Sequence, residues 1–333
     1  MVTRPIHNPL EDLTINSRIL GLNVTGSKTI AVYGDMNGLI YERMQMETPS
    51  DVSFLECFDA ICTLADKLLK LSRSQRLSSP EVISVAVSGP VDRLRGEVLS
   101  PPDLLHWDAA QLKGRLTVRY NLPVFIEHRS QAAALAEYTF GAGVGFGEMI
   151  ENLVLVDMEP VVGAGLVLGE SVYHGTNDAA GDIGRIRMAV DGPAGFGEPG
   201  SLTGFASGVG MAELASQRFP ERWPAPPWPY DLVKAIKAGE AEALAVAAEA
   251  AEHLGRALVW LTALLDPDMI VFGHPGDLMG EALLGPLRES VLRHGGGEAR
   301  QLPRLIPSKL GAKLDDVAAL MGVINAFKTR ETR

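Results

Sequence analysis

Cysteine, clustered basic residues and long apolar runs are all scarce here, and each scarcity closes off a class of protein. The two cysteines, Cys57 and Cys62, sit five apart in one helical segment and read as buried core thiols. That usage fits a reduced, cytoplasmic setting. Thirty basic residues face forty-one acidic ones, a net charge of −11. The basic residues are scattered, with no run beyond a short pair. Phosphate contacts need clustered Lys and Arg, so no nucleic-acid face is expected on this chain. The longest apolar candidate, 153–168, contains Asp157, Glu159 and Pro160 and reads as two strands and a turn. No membrane span is therefore expected. The start, MVTRPIHNPLEDLT, lacks the apolar core of a secretory signal.

What is present describes a well-packed globular protein: 46% hydrophobic residues and a mean hydropathy of +0.10. At 333 residues the chain exceeds one ordinary core, which predicts two domains. Residues 1–17 form a polar tail or edge strand, too short for a helix-turn-helix domain. Strands over 19–24, 29–33 and 39–46, joined by Thr25-Gly26-Ser27-Lys28 and Asp35-Met36-Asn37-Gly38, make an antiparallel meander. A helix over 51–71 and a buried strand over 82–87 follow. A proline-rich stretch from Ser100 to Trp107 precedes a short helix over 109–120. Trp107 there reads as capping the core.

The stretch PVFIEHRSQAAALAEYTFG, residues 123–141, joins the two halves. Its apolar strand ends on Glu127-His128-Arg129 and runs into an alanine-rich helix. Open α/β sheets place ligand chemistry at such strand ends. After a loop at 141–147 the meander recurs over 152–158, 161–168 and 171–173. Two halves opening alike predict an internal duplication with a ligand cleft between them. The glycine run 192–200 lacks the strand and helix register of a dinucleotide site. Pro220 to Pro229, with five prolines and two tryptophans, reads as an irregular surface excursion. Helices over 241–265, 280–294 and 315–328 and strands over 269–272 and near 305–306 complete the chain.

LGLNVTGSK, VAVSGPVD, PVFIEHRSQAAALAE, VGAGLVLG, AAGDIG, GSLTGFASG and LGRALVWLTALLDPDMIVFG stand in this order from about residue 19 to the end. In order and spacing they resemble the ROK family of sugar kinases and sugar-responsive repressors. The resemblance implies an α/β fold of two actin-like, ribonuclease-H-like domains with sugar and nucleotide in the cleft between them. The N-terminal domain would span 18–123, with helix 315–329 packing back on it, and the C-terminal domain 124–312. It also implies a homodimer.

The departures from the family pattern bear on chemistry. A sugar kinase needs a carboxylate to accept the hydroxyl proton. The family aspartate that serves is replaced by Arg129, whose guanidinium stays protonated and is no base. The family's Gly-Thr-Gly phosphate turn corresponds to Glu159-Pro160-Val161; proline offers no N–H and Glu159 adds negative charge. The aspartate of the first turn is Asn23, while Gly26, Ser27 and Lys28 stay compatible with phosphate or are ordinary hairpin residues. The third turn becomes Gly273-His274-Pro275. With Gly163, these make up vestigial phosphate loops. The zinc positions of the family hold Arg185, Ala194, Phe196 and Ser201, so no metal is expected.

The family's sugar contacts fall on His128, Arg129, Asp182, Arg185 and Thr203, with Asp103 and Glu127 beside them. A carboxylate is kept at Asp182, one is lost at Thr203, and arginines are gained. Two readings are open. The gained arginines suit an anionic sugar or sugar phosphate; or they form internal ion pairs with Glu127, Asp182 or Glu159 in a vestigial site. The expected function is a non-catalytic small-molecule sensor or regulator needing no cofactor. The alternatives are an ATP- and Mg-dependent sugar kinase with Asp182 or Glu127 as displaced base, and the effector part of a repressor whose DNA-binding segment lies elsewhere.

Overall fold

The computed structural model describes residues 8–145, 147, 149–295 and 302–331. Residues 1–7 of the expected tail and part of the 141–147 loop lie outside these. Residues 9–12 form one 3-10 turn, and Leu13 and Ser17 are buried. The chain divides into two compact units, Met1–Ala132 with Asp315–Arg333, and Ala133–Leu314.

Unit 1 is built on the meander of β1 (Arg18–Val24), β2 (Lys28–Asp35) and β3 (Ile40–Glu47). β1 and β2 are buried along their lengths, whereas β3 alternates exposed and half-buried positions as an edge strand does. Asp35 Oδ1 accepts the N–H groups of Asn37 and Leu39 and closes the second hairpin. α1 (Phe54–Ser74) opens on a capping box between Ser53 and Glu56, three residues later than the spacing predicts. It buries Phe58, Ile61, Ala65, Leu68 and Leu69 on one face.

β4 (Val82–Val87) pairs parallel to β1, and the two-residue strands β5 (Val91–Asp92) and β6 (Glu97–Val98) form a small ribbon. α2 spans Leu112–Tyr120, not 109–120, because Ala109 is left-handed and Ala110 bridges to Val98. β7 (Val124–His128) pairs parallel to β4 and leads directly into α3 (Arg129–Phe140). This pairing places β7 in unit 1. The boundary expected at 123/124 therefore lies inside α3, at 132/133.

Unit 2 repeats the plan. β8 (Leu153–Asp157), β9 (Gly163–Leu168) and β10 (Ser171–Val172) form its meander. Three helices that the sequence reading does not predict, α4 (Leu202–Ala206), α5 (Gly208–Arg218) and α6 (Pro229–Lys237), precede α7 (Ala241–Leu265). β11 (Met269–Phe272), α8 (Gly276–Met279), α9 (Glu281–His294) and β12 (Arg304–Pro307) follow. α10 (Leu314–Glu331) returns the chain to unit 1 from Asp315 onward. It lies close on β1: a Cβ on Gly21 would come within 3.0 Å of the Ala319 carbonyl. The sheets run β3-β2-β1-β4-β7 and β10-β9-β8-β11-β12, the same order in each unit. The duplication read from the sequence is thus present at the level of strand order.

Candidate functional site

In unit 1, β1, β4 and β7 are parallel and in register at their carboxyl ends: Val24 lies beside Val87, and Val87 beside His128. Asn23, Ser88, Glu127, His128 and Arg129 are thereby brought to one sheet edge, where such folds bind ligands. The β1–β2 turn and the first turn of α10 complete this corner.

Arg129, the first residue of α3, donates from Nη2 to Asp315 Oδ1 at 2.9 Å. The two side chains are 5% and 7% exposed. The other oxygen of the same carboxylate takes Lys28 Nζ at 2.6 Å. Asn23 Nδ2 donates to the main-chain oxygen of Asp315 at 3.0 Å. One aspartate is therefore shared by two cations: it pairs the buried Arg129, while Lys28 is 29% exposed and reaches solvent. Asp315 is thus a partner of Arg129 that sequence reading, which names Glu127, Asp182 and Glu159, misses. The local signal was an acidic pair, Asp315-Asp316, opening a helix, where carboxylates commonly serve the helix dipole.

Asp103 fills the mouth of the β1–β2 turn. Its Oδ2 accepts the Gly26 N–H at 2.6 Å and the Ser88 hydroxyl at 2.9 Å. Burial pushes its carboxyl above the ordinary range, partly offset by those two bonds and by the charge of Arg129. Its Oδ1 is buried without a hydrogen-bond partner among the described residues. Only glycine fits at 26, since a Cβ there would sit 1.8 Å from the Asp103 carbonyl oxygen. Within the turn, Thr25 Oγ1 accepts the Lys28 N–H, and Ser27 is exposed. Glu127 is buried, accepts the His128 N–H at 2.9 Å and lies 3.9 Å from Arg93. His128 Nδ1 accepts the Ser130 N–H. Trp107 is buried edge-on against Phe54, 4.9 Å between ring centroids, in its core role.

In unit 2 the turn after β8 is closed by its neighbours. The Glu159–Pro160 bond is cis, and Tyr230 donates its hydroxyl to Glu159 Oε2 at 3.3 Å. The Val162 N–H goes to Thr203 Oγ1 at 3.2 Å, so the buried Thr203 braces this turn. Gly163 pairs across the sheet with Asp157. The Gly273 N–H goes to the Val156 carbonyl, and His274 Nδ1 lies 2.5 Å from Asp277 Oδ1. The Met158 N–H bonds to the His274 carbonyl, tying the two turns together. Asp182 and Arg185 form an ion pair at 2.7 Å, 43% and 69% exposed. The sequence reading names this pair, and it lies at the surface.

The residues at the zinc positions do not fit that metal. Ala194 and Phe196 carry no donor atom, Arg185 is a cation already paired to Asp182, and the Ser201 hydroxyl accepts the Gly204 N–H. Among the described residues no three His, Cys, Asp or Glu side chains cluster to hold an ion. None of their helices is long and apolar enough to cross a membrane.

The chain is 28% identical over 324 residues to a glucokinase of Streptomyces coelicolor, covering 90% of this chain and 95% of that one. It is 27% identical to the xylose repressor of Caldicellulosiruptor bescii over 63% of this chain and 54% of the repressor. Among solved structures, a ROK family glucokinase from Streptomyces griseus, in complex with glucose and AMPPNP, matches with a TM-score of 0.79. That match has 27% identity and covers 91% of this chain and 98% of that one. A sequence profile of the ROK family matches residues 19–330. With the duplicated α/β sheets already described, the chain belongs to the ROK family, and its fold is the two-domain actin-like one of the ROK sugar kinases.

Proposed function

We propose that this ROK protein binds a sugar-class ligand without phosphorylating it, and acts as a sensor or regulator. The observation that carries the reading is the Arg129–Asp315–Lys28 network. At the position where the family resemblance implies a proton-accepting aspartate, the side chain is a permanent cation paired to an internal carboxylate that it shares with Lys28. The phosphate turns support the same reading. The Gly26 N–H is taken by Asp103, and residue 160 has none to give. Asn23 supplies an amide, committed to Asp315, where a metal-water ligand would need a carboxylate. No ATP or Mg requirement is therefore proposed. The protein is taken as a homodimer, as the resemblance implies; sedimentation velocity tests that point.

Each arginine that the sequence counts as a gained positive charge has an aspartate at 2.7–2.9 Å. These contacts support a sugar-class ligand in general more than an anionic one. Calorimetry across neutral sugars, uronates and sugar phosphates separates the two. A kinase with a displaced base is the second reading, and one observation favours it. Asp103 is a buried carboxyl with one unpartnered oxygen and a raised pKa, a better candidate base than the exposed, ion-paired Asp182. A coupled ADP-release assay over the same sugar panel decides. Turnover lost in Asp103→Asn establishes the kinase; binding without turnover supports the sensor.

A further inference from the structure

The loop 192–200 in unit 2 is the segment for which the family resemblance implies a structural zinc site, and its own residues do not provide one. It is nevertheless held closely. Glu213, on α5, directs Oε2 at the backbone N–H groups of Ala194 (2.9 Å) and Gly195 (3.0 Å). Two N–H groups converging on one carboxylate oxygen are charge-assisted bonds, about twice as strong as neutral ones. The rest of the loop folds around this point. The Gly197 N–H bonds to the Ala194 carbonyl, the Gly200 N–H to the Pro193 carbonyl, and the N–H groups of Met188 and Ala189 to the Gly200 carbonyl.

The residues beneath the loop are small because the backbone lies on them. A Cβ on Gly204 would sit 1.9 Å from the Pro193 carbonyl oxygen, and one on Gly195, at φ +56°, 3.1 Å from the Ser207 hydroxyl. Ser201 and Ser207, at the ends of α4, spend their hydroxyls on helix caps. Thr203, on α4, braces the β8–β9 turn.

We propose that the Glu213 carboxylate is the staple of the 192–200 loop, in the job that zinc ligation would do, so that the order of this loop is independent of metal. Glu213 touches no reacting atom; it is a positioning residue. Its bonds hold the loop against α4 and α5, and α4 carries Thr203 into place. The inference does not depend on whether the protein phosphorylates a sugar.

Hydrogen exchange of the full-length protein, read on peptides spanning 193–200, is the test. In the natural protein, neither EDTA nor added zinc should change exchange there. Glu213→Ala should speed exchange over this loop about tenfold or more, while Glu213→Gln, which keeps an acceptor but loses the charge, should speed it less. The remainder of the chain should exchange as before. Should Glu213→Ala fail to fold, Glu213→Gln and the EDTA arm carry the decision. Three results overturn the proposal: zinc bound at one ion per chain with EDTA-accelerated exchange, an unchanged loop in the alanine variant, or acceleration spread evenly over the chain in both variants.

Discussion

The two units share one strand order, yet the turn between their first two strands is closed in different ways. In unit 1 the turn at 25–28 keeps its glycine and lysine, but Asp103 takes the Gly26 N–H and Asp315 takes the Lys28 ammonium. In unit 2 the matching turn has no N–H to offer at Pro160 and carries a carboxylate, Glu159, held by Tyr230. One turn retains phosphate-compatible residues and occupies them internally; the other has different residues. On the function proposed above, a turn is kept from binding anions by partners in one unit and by its own residues in the other, and only the second route is written locally in the sequence.

Breaking the partners should affect unit 1 far more than unit 2. The largest effect is expected from Asp315→Ala, which leaves Arg129 and Lys28 without their shared carboxylate. Removing one side of a buried pair costs about 3–5 kcal/mol, to be read from urea unfolding midpoints. Gly26→Ala should come next, since its Cβ has no room beside the Asp103 carbonyl; overpacking of this kind costs about 1–3 kcal/mol.

Asp103→Asn sharpens the comparison through pH. Burial raises the carboxyl pKa in the folded protein above its unfolded value, so folding takes up a proton there. The stability this group contributes is full below the unfolded pKa and is lost as pH rises through the folded one. The asparagine variant should therefore melt higher than the natural protein at neutral pH, with the gap closing toward pH 4. In unit 2, Asp182→Ala should be the smallest change. Its pair with Arg185 is largely exposed, and such pairs contribute about 0–1 kcal/mol. Equal costs for Asp315→Ala and Asp182→Ala would remove the contrast between the units.

The sheets were legible from the sequence because buried strands and hairpin turns are local signals. Val82–Val87 and Met269–Phe272 are continuous apolar runs in parallel pairing, and the meanders carry turn residues at each reversal. Helices α4 to α6 were not legible. No helix is predicted over 202–218, where glycines stand at 204, 208 and 210, and 220–229 reads as an irregular excursion, whereas packing and the serine caps at 201 and 207 make the first two helices. At the candidate site, Arg129 was identified and its partner was not. Residues 129 and 315 are joined only by the fold, and neither charge nor spacing points from one to the other. For the same reason Glu213 went unnoticed as the anchor of the 192–200 loop.

The central claim is that the corner at Arg129 binds without chemistry. It is tested most directly by measuring sugar binding and ADP release on one preparation of the full-length chain. The account predicts saturable binding of at least one sugar by calorimetry, with no ADP release above background when ATP and Mg are supplied with that sugar. Steady turnover of the bound sugar would contradict it.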